Sequence, residues 1–137
     1  MREFLDIEYS YLLVFSGGIS MKILLLDDTR KRRKELVDAM QKKHYEVEAC
    51  YSSSSFMQLI DKQKINLILI DMDSWNKGKA VYSRFGIAKK LESLPILFYN
   101  ASMNFSILHD RPRHGKDRIL FKPTEVDAIV ANILEIR

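Results

Sequence analysis

Short apolar runs alternate along the chain with stretches whose apolar residues recur every three or four positions. The run Ile65–Asp71 is nearly continuous, rich in β-branched residues and ends abruptly in an acid, which is typical of a strand buried on both faces of a parallel sheet. The same pattern predicts four more strands, at Met21–Asp27, Tyr45–Tyr51, Pro95–Tyr99 and Arg118–Phe121.

Helical spacing of apolar residues fills most of the intervals between these strands. It predicts one helix over Thr29–Lys43, a second that begins at the serine-rich segment 52–55, a third through Val81, Phe85, Ala88 and Leu91, and a last one after Pro123, where Thr124 and Asp127 resemble a capping box. Met72–Lys79 is predicted to be a polar loop. The segment 102–117 contains a proline and a glycine and has no clean apolar face, so a regular helix is not expected there.

This alternation predicts an α/β domain in which right-handed crossovers place helices on both faces of a parallel sheet. Residues 1–20 do not fit the alternation and end in Ser-Gly-Gly-Ile-Ser, a composition typical of flexible linkers. We therefore predict an N-terminal extension over 1–20 and one domain over 21–137.

Composition narrows the classes of function. The 137 residues are 47% hydrophobic and 29% charged, which is ordinary for a globular domain. The single cysteine fits a reducing cytoplasm, and neither a membrane span nor a signal peptide is predicted. The net charge is +4, and the excess of basic residues is concentrated at Arg30–Lys34 and Lys42–Lys43, which we interpret as a solvated helix face. No aromatic residues are interleaved there, so a stacking platform for single-stranded nucleic acid is not indicated, and nucleic-acid binding is the least favoured hypothesis.

Charged residues stand where the predicted strands end. Asp27 and Asp28 close the first strand, Asp71 closes the third, and Lys122 closes the fifth. Open parallel sheets bind ligands at the carboxyl ends of their strands, so three carboxylates and one lysine are expected at one edge. Carboxylate oxygens are ligands that Mg²⁺ prefers.

This set of strand ends resembles that of response-regulator receiver domains. The resemblance rests on Asp27-Asp28, Asp71, the small polar Asn100 that closes strand four, and Lys122-Pro123, and it covers about residues 21–137. It implies a doubly wound (βα)₅ fold of flavodoxin-like strand order 2-1-3-4-5, and a signalling domain rather than an enzyme.

The resemblance also implies roles for individual residues. Asp71 falls at the phosphoacceptor position, and Asp27 and Asp28 fall at the acidic pair that holds Mg²⁺. The backbone carbonyl of Asp73 falls where the family completes the metal shell. Lys122 falls at the invariant lysine, whose bond to the next proline is usually cis. The implied partners are a histidine kinase or phosphotransfer protein, and an unidentified protein target, since no output domain is expected after the last helix.

Several positions depart from the family, all in the part that transmits the signal. Asn100 stands where receivers carry Thr or Ser, and Ile119 replaces the usual aromatic switch residue. Trp75 is unusual after the phosphoacceptor, and it is interpreted as an ordinary contact rather than a partner anchor. Two hypotheses remain open: a stand-alone receiver phosphorylated on Asp71, and a phosphorylation-independent interaction module with the same fold.

Overall fold

A computed structural model describes residues 21–77, 91, 93–102 and 116–136. Within these ranges the chain forms a five-stranded sheet in the order β2-β1-β3-β4-β5, with every neighbouring pair parallel. The strands are β1 (Lys22–Leu26), β2 (Glu46–Cys50), β3 (Leu67–Asp71), β4 (Ile96–Ala101) and β5 (Arg118–Phe121). The predicted α/β class and strand order are confirmed.

The helices that the structure describes are α1 (Arg30–Lys42), α2 (Ser53–Lys62), α3 (Met72–Lys77) and α4 (Val126–Ile136). The Ser52 side chain caps α2 by accepting a hydrogen bond from the Ser55 backbone N–H. The prediction of a polar loop after β3 was wrong over 72–77, where α3 follows the strand directly. Across these described ranges, no helix has the length and apolar character needed to cross a membrane.

The two faces of the sheet support separate core layers. Leu24 and Leu26 of β1 pack towards α2 and α3, while Ile23 and Leu25 pack towards α1 and α4. All five residues of β3 are buried, as expected for a central strand covered on both sides. Cys50 and Trp75 are also buried. The Trp75 ring packs edge-on against Phe56, which confirms the interpretation of Trp75 as an ordinary contact.

The connection from β5 to α4 differs from the predicted capping box. The helix begins at Val126, one residue later than a cap at Thr124 requires, and the Thr124 hydroxyl donates to the Phe121 carbonyl instead. The Lys122–Pro123 peptide bond is cis. The extension 1–20, most of the predicted third helix and most of the segment 102–117 lie outside the described residues.

Candidate functional site

The carboxyl ends of β1 and β3 bring three carboxylates together. Leu26 pairs with Ile70 in the parallel register, so Asp27 and Asp71 follow these residues side by side at the edge of the sheet. One carboxylate oxygen from each of Asp27, Asp28 and Asp71 lies within 4.8 Å of the others. The side chains of Asp27 and Asp71 are fully buried. Such crowded acids repel one another unless a cation lies among them.

Arg32, in the first turn of α1, supplies positive charge to two of these acids. Its Nε donates to Asp27 Oδ2 at 2.6 Å and its Nη2 donates to Asp27 Oδ1 at 3.0 Å. The same Nη2 lies 3.1 Å from Asp71 Oδ2. Burial lowers the pKa of the guanidinium, but the hydrogen bonds and charges of Asp27 and Asp71 outweigh burial and raise the pKa overall. Arg32 therefore remains charged and links the two buried carboxylates.

Tyr99, on β4, is a second partner of Asp27. Its hydroxyl donates to Asp27 Oδ2 at 2.5 Å, and its ring lies 5.6 Å from the central carbon of the Arg32 guanidinium. Complete burial and the neighbouring Asp27 carboxylate raise the pKa of Tyr99 well above its ordinary value. The hydroxyl thus stays protonated and acts only as a donor to Asp27 at neutral pH.

Asp71 occupies the N-cap position of α3. Its Oδ2 accepts hydrogen bonds from the Ser74 backbone N–H at 3.2 Å and from the Ser74 hydroxyl at 2.6 Å. These are the bonds that an aspartate makes at the start of a helix. The Ser74 oxygen in turn accepts from the Asp28 backbone N–H at 2.9 Å. Ser74, in the first turn of α3, therefore connects the loop after β1 to the end of β3.

Asn100 holds the other oxygen of Asp71. Its Nδ2 donates to Asp71 Oδ1 at 3.0 Å, and its backbone N–H donates to the Thr124 hydroxyl oxygen at 3.1 Å. Its φ is 55°, in the left-handed region, and the β4–β5 register is irregular between Phe98 and Ala101. Asparagine tolerates this conformation better than most residues, so the backbone of β4 accounts for an asparagine at this position.

Two lysines near the site pair with acids, one of them exposed and the other partly buried. Lys122 Nζ lies 3.0 Å from Asp73 Oδ1, and both side chains are about half exposed, at 51% and 52%. Lys77 pairs with Asp28, and this bond holds the pKa of Asp28 below its ordinary value. Asp73 lies in the first turn of α3. Its backbone carbonyl, like the others of the helix, points along the helix axis towards the C-terminal end. Of the predicted site residues, the structure therefore gathers Asp27, Asp28, Asp71 and Asn100, and pairs Lys122 with Asp73.

Comparison of the sequence with models of protein families identifies the family of this chain. The model of the response regulator receiver domain matches residues 23–134. The chain belongs to the response-regulator receiver family. Receiver domains are signalling domains of two-component systems and bind Mg²⁺ at an acidic pocket, and this receiver carries a cluster of three aspartates at that place.

Solved structures show the same fold at low sequence identity. The receiver is similar to the chemotaxis response regulator CheY4 of Vibrio cholerae (TM-score 0.63, 18% identity, covering 87% of this chain and 100% of that chain). It is also similar to a response regulator from Thermotoga maritima (TM-score 0.64, 16% identity, 86% and 98% covered). A third is a response regulator from Burkholderia pseudomallei with a phosphorylated aspartic acid, calcium ion and citrate (TM-score 0.64, 21% identity, 82% and 66% covered). Among curated protein sequences, none matches this chain.

Sequence reasoning missed three residues of the receiver's site. Arg32 lies in the basic run that we interpreted as a solvated face, and this interpretation is wrong for Arg32. Ser74 stands three residues after Asp71, a spacing typical of a helix cap, so this signal was present in the sequence. Tyr99 ends an otherwise apolar run, and a buried tyrosine hydroxyl usually has a hydrogen-bond partner. For Arg32 itself, no local pattern separates it from the other arginines of the run.

Proposed function

We propose that this receiver accepts a phosphoryl group on Asp71 from a histidine kinase or phosphotransfer protein, in a Mg²⁺-dependent reaction, and signals by binding another protein in the cytoplasm. The observation that carries the proposal is the position of Asp71. Its carboxylate ends the central strand, is fully buried and lies within 4.8 Å of oxygens from Asp27 and Asp28. Ion pairs with a purely structural role do not require three carboxylates at the same edge of the sheet.

Phosphoryl transfer to Asp71 requires positioning of the reacting groups and positive charge next to the phosphoryl group. A carboxylate oxygen of Asp71 attacks the phosphorus of phosphohistidine, the P–N bond breaks, and an acyl phosphate forms on Asp71. Negative charge spreads over the phosphoryl oxygens during this transfer and has to be neutralised. Three carboxylates fit Mg²⁺, which favours oxygen ligands and keeps several waters; Asp27, Asp28 and Asp71 would hold it, and it would supply that neutralising charge.

The proposal assigns roles to two further donors, Asn100 and Lys122. The Asn100 amide already donates to Asp71 Oδ1, and the same N–H group suits a phosphoryl oxygen on that atom. Lys122 rests on Asp73 in an exposed pair, and exposed pairs are weak, worth about 0 to 1 kcal/mol. In the proposal, Lys122 leaves Asp73 for the more highly charged phosphoryl group.

One solved structure with the same fold contains a phosphorylated aspartic acid. The Burkholderia pseudomallei response regulator carries a phosphorylated aspartic acid and a calcium ion. At 21% identity, that structure supports only the fold of this receiver directly. The identity of the acceptor residue here rests on the position of Asp71.

The test is phosphorylation by a small donor, acetyl phosphate, followed by intact-mass measurement. The wild type should gain one phosphoryl group with Mg²⁺ and none with EDTA, and Asp71→Asn should gain none. Asp38→Asn is the matched control, because Asp38 is an exposed acid on α1; this variant should behave like the wild type. Labelling of Asp71→Asn, or no labelling of the wild type with Mg²⁺, would contradict the proposal. The second result would leave the phosphorylation-independent interaction module as the better account.

A further inference from the structure

The guanidinium of Arg32 lies against the carboxylates that are proposed to hold Mg²⁺. We propose that Arg32 is an internal cation that competes with Mg²⁺ for Asp27 and Asp71, so that metal binding requires the guanidinium to withdraw. This inference rests on the proposed function, because it concerns regulation of the same site. It is carried by the hydrogen bonds of Asp27.

Asp27 has no acceptor position left for a metal. A carboxylate offers about four lone-pair sites on its two oxygens. Oδ1 accepts from the Thr29 backbone N–H at 2.9 Å and from Arg32 Nη2 at 3.0 Å. Oδ2 accepts from Arg32 Nε at 2.6 Å and from the Tyr99 hydroxyl at 2.5 Å. Mg²⁺ therefore reaches an oxygen of Asp27 only after one of these donors has left.

One oxygen of Asp71 also has several donors around it. Its Oδ2 has Ser74 N and Ser74 Oγ at 3.2 Å and 2.6 Å and Arg32 Nη2 at 3.1 Å. The Ser74 contacts belong to the cap of α3. Of the donors on this oxygen, the guanidinium is the one that is shared with Asp27.

Arg32 is also the partner that is able to leave. The Thr29 N–H is fixed by the backbone, and the Tyr99 side chain is fully buried within the sheet layer. The Arg32 side chain is 24% exposed, whereas both aspartates that it contacts are 0% exposed. It enters the site from the solvent side on a long flexible stem, and rotation of that stem frees two positions on Asp27 together.

Charge makes the two cations mutually exclusive. A guanidinium and Mg²⁺ on the same carboxylate oxygens would repel each other at short range in a largely buried site, where Coulomb interactions are stronger than in water. Asp28 does not relieve this competition, because it is a single carboxylate and its Oδ2 already pairs with Lys77. The apparent association constant for Mg²⁺ is therefore the intrinsic association constant multiplied by the fraction of molecules in which Arg32 has withdrawn.

The experiment is calorimetric titration of Mg²⁺ into the wild type, Arg32→Gln and Arg30→Gln. Arg30 lies on the same helix and is exposed, so its variant loses the same charge without freeing a carboxylate. We expect Arg32→Gln to bind Mg²⁺ at least about tenfold more tightly than the wild type, since charge-assisted bonds no longer compete. Arg30→Gln should stay within about twofold of the wild type, because exposed charges are screened by salt.

The outcomes separate this inference from the proposed function. If the wild type binds Mg²⁺ and Arg32→Gln binds it equally or more weakly, the inference is wrong and the proposed function stands. If none of the three proteins binds Mg²⁺, both are wrong, because freeing Asp27 did not create a metal site. Should Arg32→Gln fail to fold, the wild type still answers by NMR: the hydrogen-bonded Arg32 Nε–H signal should disappear as Mg²⁺ saturates, and its persistence at saturation would overturn the inference.

Discussion

Replacement of Asn100 by threonine, the residue that receivers normally carry there, should destabilise this receiver. The change acts in two ways. Asn100 has a φ of 55°, which a β-branched residue adopts only with strain. The substitution also removes the amide that donates to the buried Asp71 at 3.0 Å, and the hydroxyl of threonine is carried on a shorter side chain.

The size of the effect follows from these two contributions. Left-handed backbone costs an ordinary L-residue about 1 to 2 kcal/mol. A hydrogen bond to a charged group contributes about 1.5 to 3 kcal/mol, of which the threonine hydroxyl recovers part. Asn100→Thr should therefore lower the free energy of unfolding by about 2 to 4 kcal/mol. Asn100→Gly removes the amide but adopts the left-handed region freely, so it should lose only the hydrogen-bond part.

Urea unfolding monitored by the fluorescence of Trp75, in EDTA, measures all three proteins. The expected order of stability is wild type, then Asn100→Gly, then Asn100→Thr, and the two variants should differ by the left-handed strain of about 1 to 2 kcal/mol less the part of the hydrogen bond that the threonine hydroxyl recovers. The slope of the transition should be the same in each case. Asn100→Thr as stable as the wild type, or more stable than Asn100→Gly, would refute the explanation of Asn100 by backbone conformation.

Three more predictions concern neighbouring groups. Ser74→Ala removes a buried hydroxyl that donates to Asp71 and accepts from the Asp28 N–H, and urea unfolding should show a loss of about 1 to 3 kcal/mol; an unchanged midpoint would contradict this. Because burial and Asp27 raise the pKa of Tyr99 above its ordinary value of 10.0, the stability that its protonated form contributes is complete below that pH and is lost as the pH rises through the folded-state pKa. Above pH 10.0 the urea midpoint should therefore fall more steeply with pH in the wild type than in Tyr99→Phe. Parallel curves for the two proteins would show that Tyr99 does not contribute to the pH dependence of stability. Burial raises the pKa of Cys50 to about 12, so Ellman's reagent should react with it only after urea unfolding, and rapid reaction of the native protein would contradict its buried position.

Most of the fold was predictable because burial on both faces leaves a strong local pattern. β3 reads as a continuous apolar run, and the alternation of strands and helices restricts the topology through right-handed crossovers. The carboxylates at the ends of β1 and β3 were predictable for the same reason. Parallel strands place their carboxyl ends at one edge, so the sequence alone indicated that Asp27, Asp28 and Asp71 meet.

The partners of these carboxylates were not predictable, because side-chain pairing depends on geometry between distant segments. Arg32 looks like its basic neighbours in the sequence, yet its position in the first turn of α1 places its guanidinium between two buried acids. α3 was interpreted as a loop because six residues give too short a pattern to recognise. Its cap is Asp71 itself, and its buried Trp75 packs against a different helix, so its stability comes from tertiary contacts rather than propensity. Similarly, the contact of Lys122 with Asp73 depends on where α3 begins.

The measurement that tests the central claim most directly uses Trp75, which is buried in the helix that Asp71 caps. Mg²⁺ is titrated first, beryllofluoride is added as a mimic of the phosphoryl group, and fluorescence is followed in the wild type and in Asp71→Asn. Our account predicts a saturable change with Mg²⁺ in the wild type, a further change with beryllofluoride, and loss of the second change in Asp71→Asn. No response of the wild type to beryllofluoride at saturating Mg²⁺, confirmed by calorimetry, or an equal response of Asp71→Asn, would contradict a phosphoacceptor role for Asp71.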